Sequence, residues 1–321
     1  MDAIPRRFHF LWSGARFPYF ARLAIESALV AEPDAQIDVH LFAAPPATAH
    51  FAAIAHHPRV RIAILDPARA FDGLGLDGGA LRAAFALIPA GALSAQSNLL
   101  RYAVLARHGG IYLDTDVLVV RGFDDLRHHD AFAGQEQVLV IDEPWQAGER
   151  APWMIGPALA WAAGRSLARL ATRWSQPRLA RVAAWLEPRW QGLALNNAVL
   201  GARPGAAFVR HLLQRATEVD ATIRYRLGPT LITEVARANR RDLAILPPAA
   251  FYAVPPSYSF RFFDGGPFAI PAEARVLHVV SSNHAALLGA LEPEVVRRRA
   301  TRGTYYQVAE AIGARVAGGV A

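Results

Sequence analysis

The 321-residue sequence has no cysteine, and its 34 basic residues are all arginine, with no lysine among them. Without cysteine there is no disulfide framework, no thiolate nucleophile and no sulfur-ligated zinc site, and the redox compartment stays open. The arginines leave a net charge of +7 but are scattered, apart from Arg240–Arg241 and Arg297–Arg299. No aromatic-and-basic RNA-binding motif or recognition-helix signature accompanies them, which sets nucleic acid aside and favours phosphate groups on a small ligand or an anionic surface. Long hydrophobic runs are also missing: the most apolar stretch, 151–164, stops at Arg165, short of the roughly 20 residues a bilayer span needs. The opening "MDAIPRRFHFLWSG" has too short an apolar core for a signal peptide and no small-residue cleavage site. A cytoplasmic protein without a transmembrane segment is expected, with no internal repeat and no clear linker.

What is present suits one large domain, for 53% of the residues are hydrophobic and 19% charged, enough to bury a sizeable core. The first half alternates strand and helix signals: "RRFHFLW" as strand, "FPYFARLAIESALVAEP" as helix, "AQIDVHLFA" as strand, "ATAHFAAIAHH" as helix, "VRIAILD" as strand. That rhythm predicts an α/β fold on a mostly parallel sheet. The glycines of "FDGLGLDGG", 71–79, lack the spacing of a dinucleotide fingerprint and read as a flexible connection. Further on, a strand is expected at 137–145, helix from 157 to 190 with breaks near Pro177 and Pro188, and a short strand from 193 that turns at Pro204–Gly205. A helix from Pro229, a last strand at 274–284 and a basic helix at 293–316 complete the reading.

One stretch resists a purely structural reading. In "HGGIYLDTDVLVV", 108–120, Asp114 and Asp116 end an apolar run that otherwise reads as a buried strand. Strand alternation would put both carboxylates on one face. Like charges that close repel, and removing them from water is costly unless a cation or hydrogen-bond donors compensate; a divalent metal is the simplest compensation. Just before them, "SAQSNLLRYAVLARHGG" predicts a helix with Ser94 as N-cap and Gly109 as left-handed C-cap. On it Ser97, Asn98 and Arg101 share a face, so helix and strand present one polar cluster.

The run "SNLLRYAVLARHGGIYLDTD" resembles the signature of the DXD-containing sugar transferases grouped as glycosyltransferase family 32, relatives of yeast-type mannosyltransferases and of clostridial toxin glucosyltransferase domains. Arg101, Gly109, Gly110, Tyr112, Asp114 and Asp116 carry the match. Weaker likenesses follow in order: Trp12 in the opening strand; Asn197, Pro204, Gly205 and Phe208; Gly228 and Pro229; His278 and Ser282. The sequence departs from the pattern at Asn98, where an aspartate is usual, and at Asn283–His284, where a tryptophan follows the late serine.

The resemblance implies a GT-A nucleotide-diphosphosugar transferase fold in a single domain, 1–321: a donor-binding half (1–120), an acceptor half completing the active site (121–292) and a C-terminal basic helix (293–321). It implies Mn²⁺ or Mg²⁺ as cofactor, held by Asp116 and Asp114, with Ser282, or else His284 or Asn283, as third ligand. Oxygen ligands suit these hard ions. Trp12 would stack on the base, and Ser97, Asn98, Arg101, Tyr112, Asp114, Thr115 and Asn197 would hold the nucleotide sugar. Asp114, Asp116, Arg101 and Asn98 would carry catalysis. The expected reaction moves a hexose, with retention, from a UDP-sugar, or from GDP-mannose as second choice, to a glycan, lipid-linked or protein hydroxyl. Tyr305 and Tyr306 beside the basic tail leave room for an interfacial helix, hence peripheral association with the inner membrane face. Two alternatives stand beside this reading. A sugar-nucleotide pyrophosphorylase would open with a Gly-rich basic loop after the first strand, where "HFLWSGARFPYF" has one glycine. A non-catalytic sugar-nucleotide or glycan-binding module would be consistent with the neutral Asn98.

Overall fold

A computed structural model describes residues 3–139, 151–174, 191–223 and 225–319. The main sheet contains β1 (Arg7–Trp12), β2 (Gln36–Leu41), β3 (Val60–Ile64), β4 (Gly110–Leu113), β6 (Ala131–Leu139), β7 (Gln191–Ala202) and β8 (Ala244–Leu246). Its strand order is β3-β2-β1-β4-β7-β6-β8. The first four strands are mutually parallel, β7 runs antiparallel to β4 and β6, and β8 is parallel to β6. A second sheet pairs β5 (Val117–Val119) with β9 (Val276–His278), antiparallel. The helices longer than two turns or nearly so are α1 (Tyr19–Ala31), α2 (Ala49–Ala55), α3 (Gly78–Ala86), α4 (Leu93–His108), α5 (Ile155–Trp174), α6 (Ala207–Ala216), α7 (Leu231–Ala238), α8 (Pro293–Arg299) and α9 (Thr304–Ala317). The mixed α/β class and the mostly parallel sheet are therefore as the sequence predicts.

Strand alternation divides the core. On β1, Phe8 and Phe10 point into a layer with Ile25 of α1 and Val39 of β2, while Leu11 joins Leu99 and Leu105 of α4 and Phe208 and Leu212 of α6 on the other face. Central parallel strands covered on both faces read as near-continuous apolar runs, which is why "FHFLW" carries little alternation. A third cluster, with Leu277, Phe263, Tyr305 and Tyr306, lies behind the small sheet.

Several expectations change. The aspartate run is not one strand: β4 stops at Leu113, Asp114–Asp116 form a turn, and β5 leaves for the second sheet. Helix α4 begins at Leu93, with Ala92 as N-cap and no side-chain cap, so Ser94 lies inside its first turn; Gly109 does cap its end. The end of the supposed flexible loop instead starts α3, whose Asp77 accepts a hydrogen bond from the Ala80 N–H at 3.0 Å. The strand expected at 137–145 begins earlier, at Ala131, and its later part lies outside the described residues, as does the helix expected beyond 174 with its breaks at Pro177 and Pro188. The basic tail is two helices, α8 and α9. Tyr305 and Tyr306 are each 1% exposed, so they are core and give no interfacial face. Among the described residues no helix is long and apolar enough to cross a membrane.

Beneath the α4–β4 junction lies a buried polar set. The parallel register of β1 and β2 places His9, Asp38 and His40 on one face. His9 Nε2 donates to Gly109 O at 2.8 Å, and His40 Nε2 to His9 Nδ1 at 3.0 Å. Arg61 clamps both Asp38 oxygens at 2.9 Å. Burial, with each histidine's neighbours, depresses His9 from 6.5 to about 3 and His40 to about 4. Both are neutral in the folded chain, while the unfolded chain takes up protons below 6.5. Their contribution is whole above that pH and is lost as pH falls toward 4. Unfolding free energy should thus drop between pH 6 and 5 by about 2–3 kcal/mol from this pair, measured by urea denaturation. His40→Gln, which keeps an amide donor at the Nε2 position, should reduce the slope by about half; an unchanged slope would remove the pair from this role.

Candidate active site

The two glycines that join α4 to β4 are there for space and conformation. Gly109 has φ +60°, and a Cβ on it would meet Pro204 Cδ at 2.5 Å; Gly110 has φ +97°, and a Cβ would meet Arg7 O at 2.6 Å. Side chains at either position would push the helix away from the strand that it precedes. The tight junction sets α4 antiparallel over the sheet, so that its first turns lie beside the C-terminal ends of β1 and β4.

The turn after β4 is fastened on both sides. The Asp114 N–H donates to Ala198 O of β7 at 2.9 Å, and the Val279 N–H, just beyond β9, donates to Asp116 O at 3.2 Å. The DXD residues thus bridge the two sheets. Arg101, 3% exposed, reaches from α4 into this bridge. Its Nη2 lies 2.9 Å from Asp114 Oδ1, its Nη1 donates to Asn197 O at 2.6 Å, and its guanidinium stacks 4.2 Å from the Tyr112 ring centroid. Burial opposes the Arg101 charge, but Asp114, Tyr112 and Tyr102 together more than offset it and keep the guanidinium ionised. The Tyr112 hydroxyl donates to Asp114 Oδ1 at 2.6 Å. Burial, with neighbouring Asp116, raises the Asp114 carboxyl above its usual range although Arg101 pulls the other way.

Asp116 is treated differently. Its Oδ2 accepts from the Ser281 N–H at 2.6 Å, whereas its Oδ1 is buried without a hydrogen-bond partner. His278 Nε2 stands 3.6 Å from that oxygen, and His278 Nδ1 lies 3.9 Å from Glu136 Oε1. One ligand atom each from Asp114, Asp116 and His278 falls within 4.8 Å of the others. The His9–Asp38–His40 set has similar spacing, but arginine and backbone partners satisfy it. A buried carboxylate oxygen with no donor calls for compensation, so the Asp114–Asp116–His278 set fits a cation.

The other residues singled out from the sequence fall as follows. Ser97 Oγ accepts from Arg101 Nη2 at 3.3 Å and lies 3.4 Å from the Tyr112 hydroxyl. Asn98 and Asn197 face each other, Asn197 Nδ2 donating to Asn98 Oδ1 and to the Tyr102 hydroxyl, each at 2.9 Å. Both are buried, and a Cβ on Gly228 would sit 2.7 Å from Asn98 Nδ2; they join α4 to β7 and the 226–230 turn. Thr115 is half-buried in the turn itself. Trp12 is half-buried at the end of β1, edge-on to Phe17 with centroids 5.1 Å apart. His284 is not in the cluster, because its Nε2 is hydrogen-bonded to Ser259 Oγ at 2.9 Å and its ring packs on Phe263. Ser282 and Asn283 are exposed; Asn283 Nδ2 donates to Pro256 O at 3.0 Å, and Ser281, not Ser282, supplies the contact to Asp116. His278, noted in the sequence only among the weaker likenesses, lies beside Asp116, where Ser282, His284 or Asn283 was expected. Glu136 was missed. Its one sequence sign is a carboxylate inside the strand run "AFAGQEQVL".

These features define an α/β protein with a candidate cation centre where two sheets meet. Residues 76–133 match the family model described as glycosyltransferase sugar-binding region containing DXD motif. No curated protein sequence matches the chain. Among solved structures it is similar to the PaToxG glycosyltransferase, at 16% identity over 74% of this chain and 70% of that one, TM-score 0.44. It is also similar to the UDP-bound glycosyltransferase domain of the YGT toxin, at 10% identity over 76% and 80%, TM-score 0.43. The apo form of mouse xyloside xylosyltransferase 1 shares 15% identity over 76% and 86%, TM-score 0.43.

Removing the buried guanidinium should unmask the carboxylates. Arg101→Met is expected to cost about 3–5 kcal/mol of unfolding free energy. Adding Asp114→Asn should recover about 1–3 kcal/mol as pair coupling in a double-mutant cycle, read by urea denaturation. Strict additivity would mean that Arg101 acts through packing alone.

Proposed function

We propose that this protein is a metal-dependent, retaining hexosyltransferase that uses a nucleotide-diphosphate sugar and a hydroxyl acceptor. A UDP-sugar is the favoured donor and GDP-mannose the second. The observation that carries the reading is the partnerless Asp116 Oδ1, facing His278 beside an Asp114 already neutralised by Arg101. Asp116 and His278, with Asp114 adjoining, would hold Mn²⁺ or Mg²⁺. Such an ion would offset the charge that develops on the leaving diphosphate.

The chain's own residues supply position and electrostatics. Arg101, fixed by Asn197 O and Ser97, holds Asp114 in the turn and would lend its positive charge to a sugar or phosphate oxygen bound there. Asp114 Oδ2 is left to accept from a ribose or sugar hydroxyl while Oδ1 is tied to Arg101 and Tyr112. Trp12, at the C-terminal end of β1, would flank the base. Asn98 and Asn197 act from behind, by setting the height of α4 over β7. No nucleophile is assigned, since in retention by front-face attack the leaving diphosphate itself takes the acceptor proton. Within one domain, 1–120 would bind donor and 121–292 would complete the site and bind acceptor. A growing surface polysaccharide or a lipid-linked glycan is the acceptor class that we favour.

The test is UDP or GDP release from a panel of nucleotide sugars with Mn²⁺, with Mg²⁺ and with chelator. Release from one donor, abolished by chelator, is expected, and Asp116→Asn should lower it at least about 100-fold, as loss of several kcal/mol of charge stabilisation requires. Donor binding without release from any member of the panel would favour a non-catalytic module.

A further inference from the structure

Helix α5 wears its pattern inside out. Its inward side is mostly small, with Pro157, Gly164 and Ala171 buried and Trp161, Leu167 and Ala168 partly so, while Arg165 at its edge donates Nε to Ser257 O at 3.0 Å. Its outward face carries Ile155, Leu159, Ala162, Ala163 and Leu170 at helical spacing, with the exposed Ser166 among them. Ile155 is 60% exposed and Leu159 66%, and Trp153, in the turn that leads into the helix, is 54% exposed. A surface helix normally hides such a stripe.

Charge says what the face fits. From Ala151 to Trp174 there is no aspartate or glutamate, and arginine is confined to the second half, in a chain of net charge +7. Arg165 lies over the Trp161 ring and Arg169 over Phe260, both held at the flank of the stripe. With arginine and no acid, the face is complementary to an anionic partner. A tryptophan and aliphatic side chains followed by arginines match the acyl boundary and phosphates of an anionic bilayer, on which such a helix lies flat.

The position of α5 matters to the site. It rests on the 256–262 segment through Arg165 and Arg169. That segment holds the 281–284 turn, through Asn283 to Pro256 O and His284 to Ser259, and the turn gives the Ser281 N–H to Asp116. We propose that α5 seats this protein on an anionic lipid surface, with Trp153, Ile155, Leu159 and Leu170 entering the headgroup region and Arg169 pairing with phosphate. The seating stands on α5 alone; its use, which is to present the acceptor side of the centre to a lipid-linked hydroxyl, rests on the transferase reading.

Flotation of the full chain with phosphatidylcholine vesicles, with and without phosphatidylglycerol, tests the seating. Partition should need the anionic lipid and fall with salt. Ile155→Gln and Leu159→Gln should each weaken it about tenfold, and Arg169→Gln about fivefold. Asp116→Asn should float like the parent, which separates this result from failure of the transferase reading. Absence of flotation, or flotation untouched by the two glutamine variants, would overturn the proposal. So would self-association in sedimentation velocity that those variants abolish, for the face would then belong to a second copy.

Discussion

The contact between the Arg101 guanidinium and Asp114 is the constraint on which the rest of the centre depends. Arg101 is buried, so its charge must be matched inside the protein, and outside its own helix it is matched by one carboxylate, one backbone carbonyl and an aromatic face. These partners lie on three different elements: the turn after β4, strand β7 and strand β4 itself. One side chain therefore fixes where the helix stands relative to both the aspartates and the neighbouring antiparallel strand. The cost of burying such a group is recovered only when every donor finds a partner, which makes the geometry all-or-none.

That contact also divides the two aspartates. Asp114 is compensated by the protein, through Arg101 and Tyr112, whereas Asp116 has a single backbone donor on one oxygen. Two equivalent carboxylates would share a proton or repel each other apart. Here the asymmetry leaves one of them, with His278 next to it, open to an external cation. The neutral Asn98 is consistent with this balance. One turn before Arg101 and bonded to Asn197, it adds no third negative charge to a centre that has one arginine.

Local chemistry was legible in the sequence and long-range pairing was not. The double glycine, the arginine two turns ahead of it and the spaced aspartates are each forced by contacts within one helix–strand unit, so a short window of sequence contains their cause. The first three strands read clearly for the same reason, since each is an apolar run bounded by its own helix. The third member of the cation set was harder. His278 and His284 both end the last strand region, and only the pairing Val117↔His278 decides that the former faces Asp116 while the latter turns to Ser259. Glu136 depends likewise on β6 lying beside β7. Ser94 failed as a cap because α4 starts earlier, and α3 was hidden because glycines at 78 and 79 masked the capping aspartate before them.

The bridge between sheets divides the centre between them. Asp114 is fastened to the main sheet through β7, and Asp116 to the small sheet through β9 and the Ser281 N–H. Asp116 and His278 thus belong with the small sheet, and Asp114 and Arg101 with the large one. The small sheet is backed by the third core cluster, and the turn beyond it is tied to the 256–262 segment beneath α5. Asp116 is thus tied, through the Ser281 turn, to contacts in an outer layer well removed in sequence from the motif that displays it.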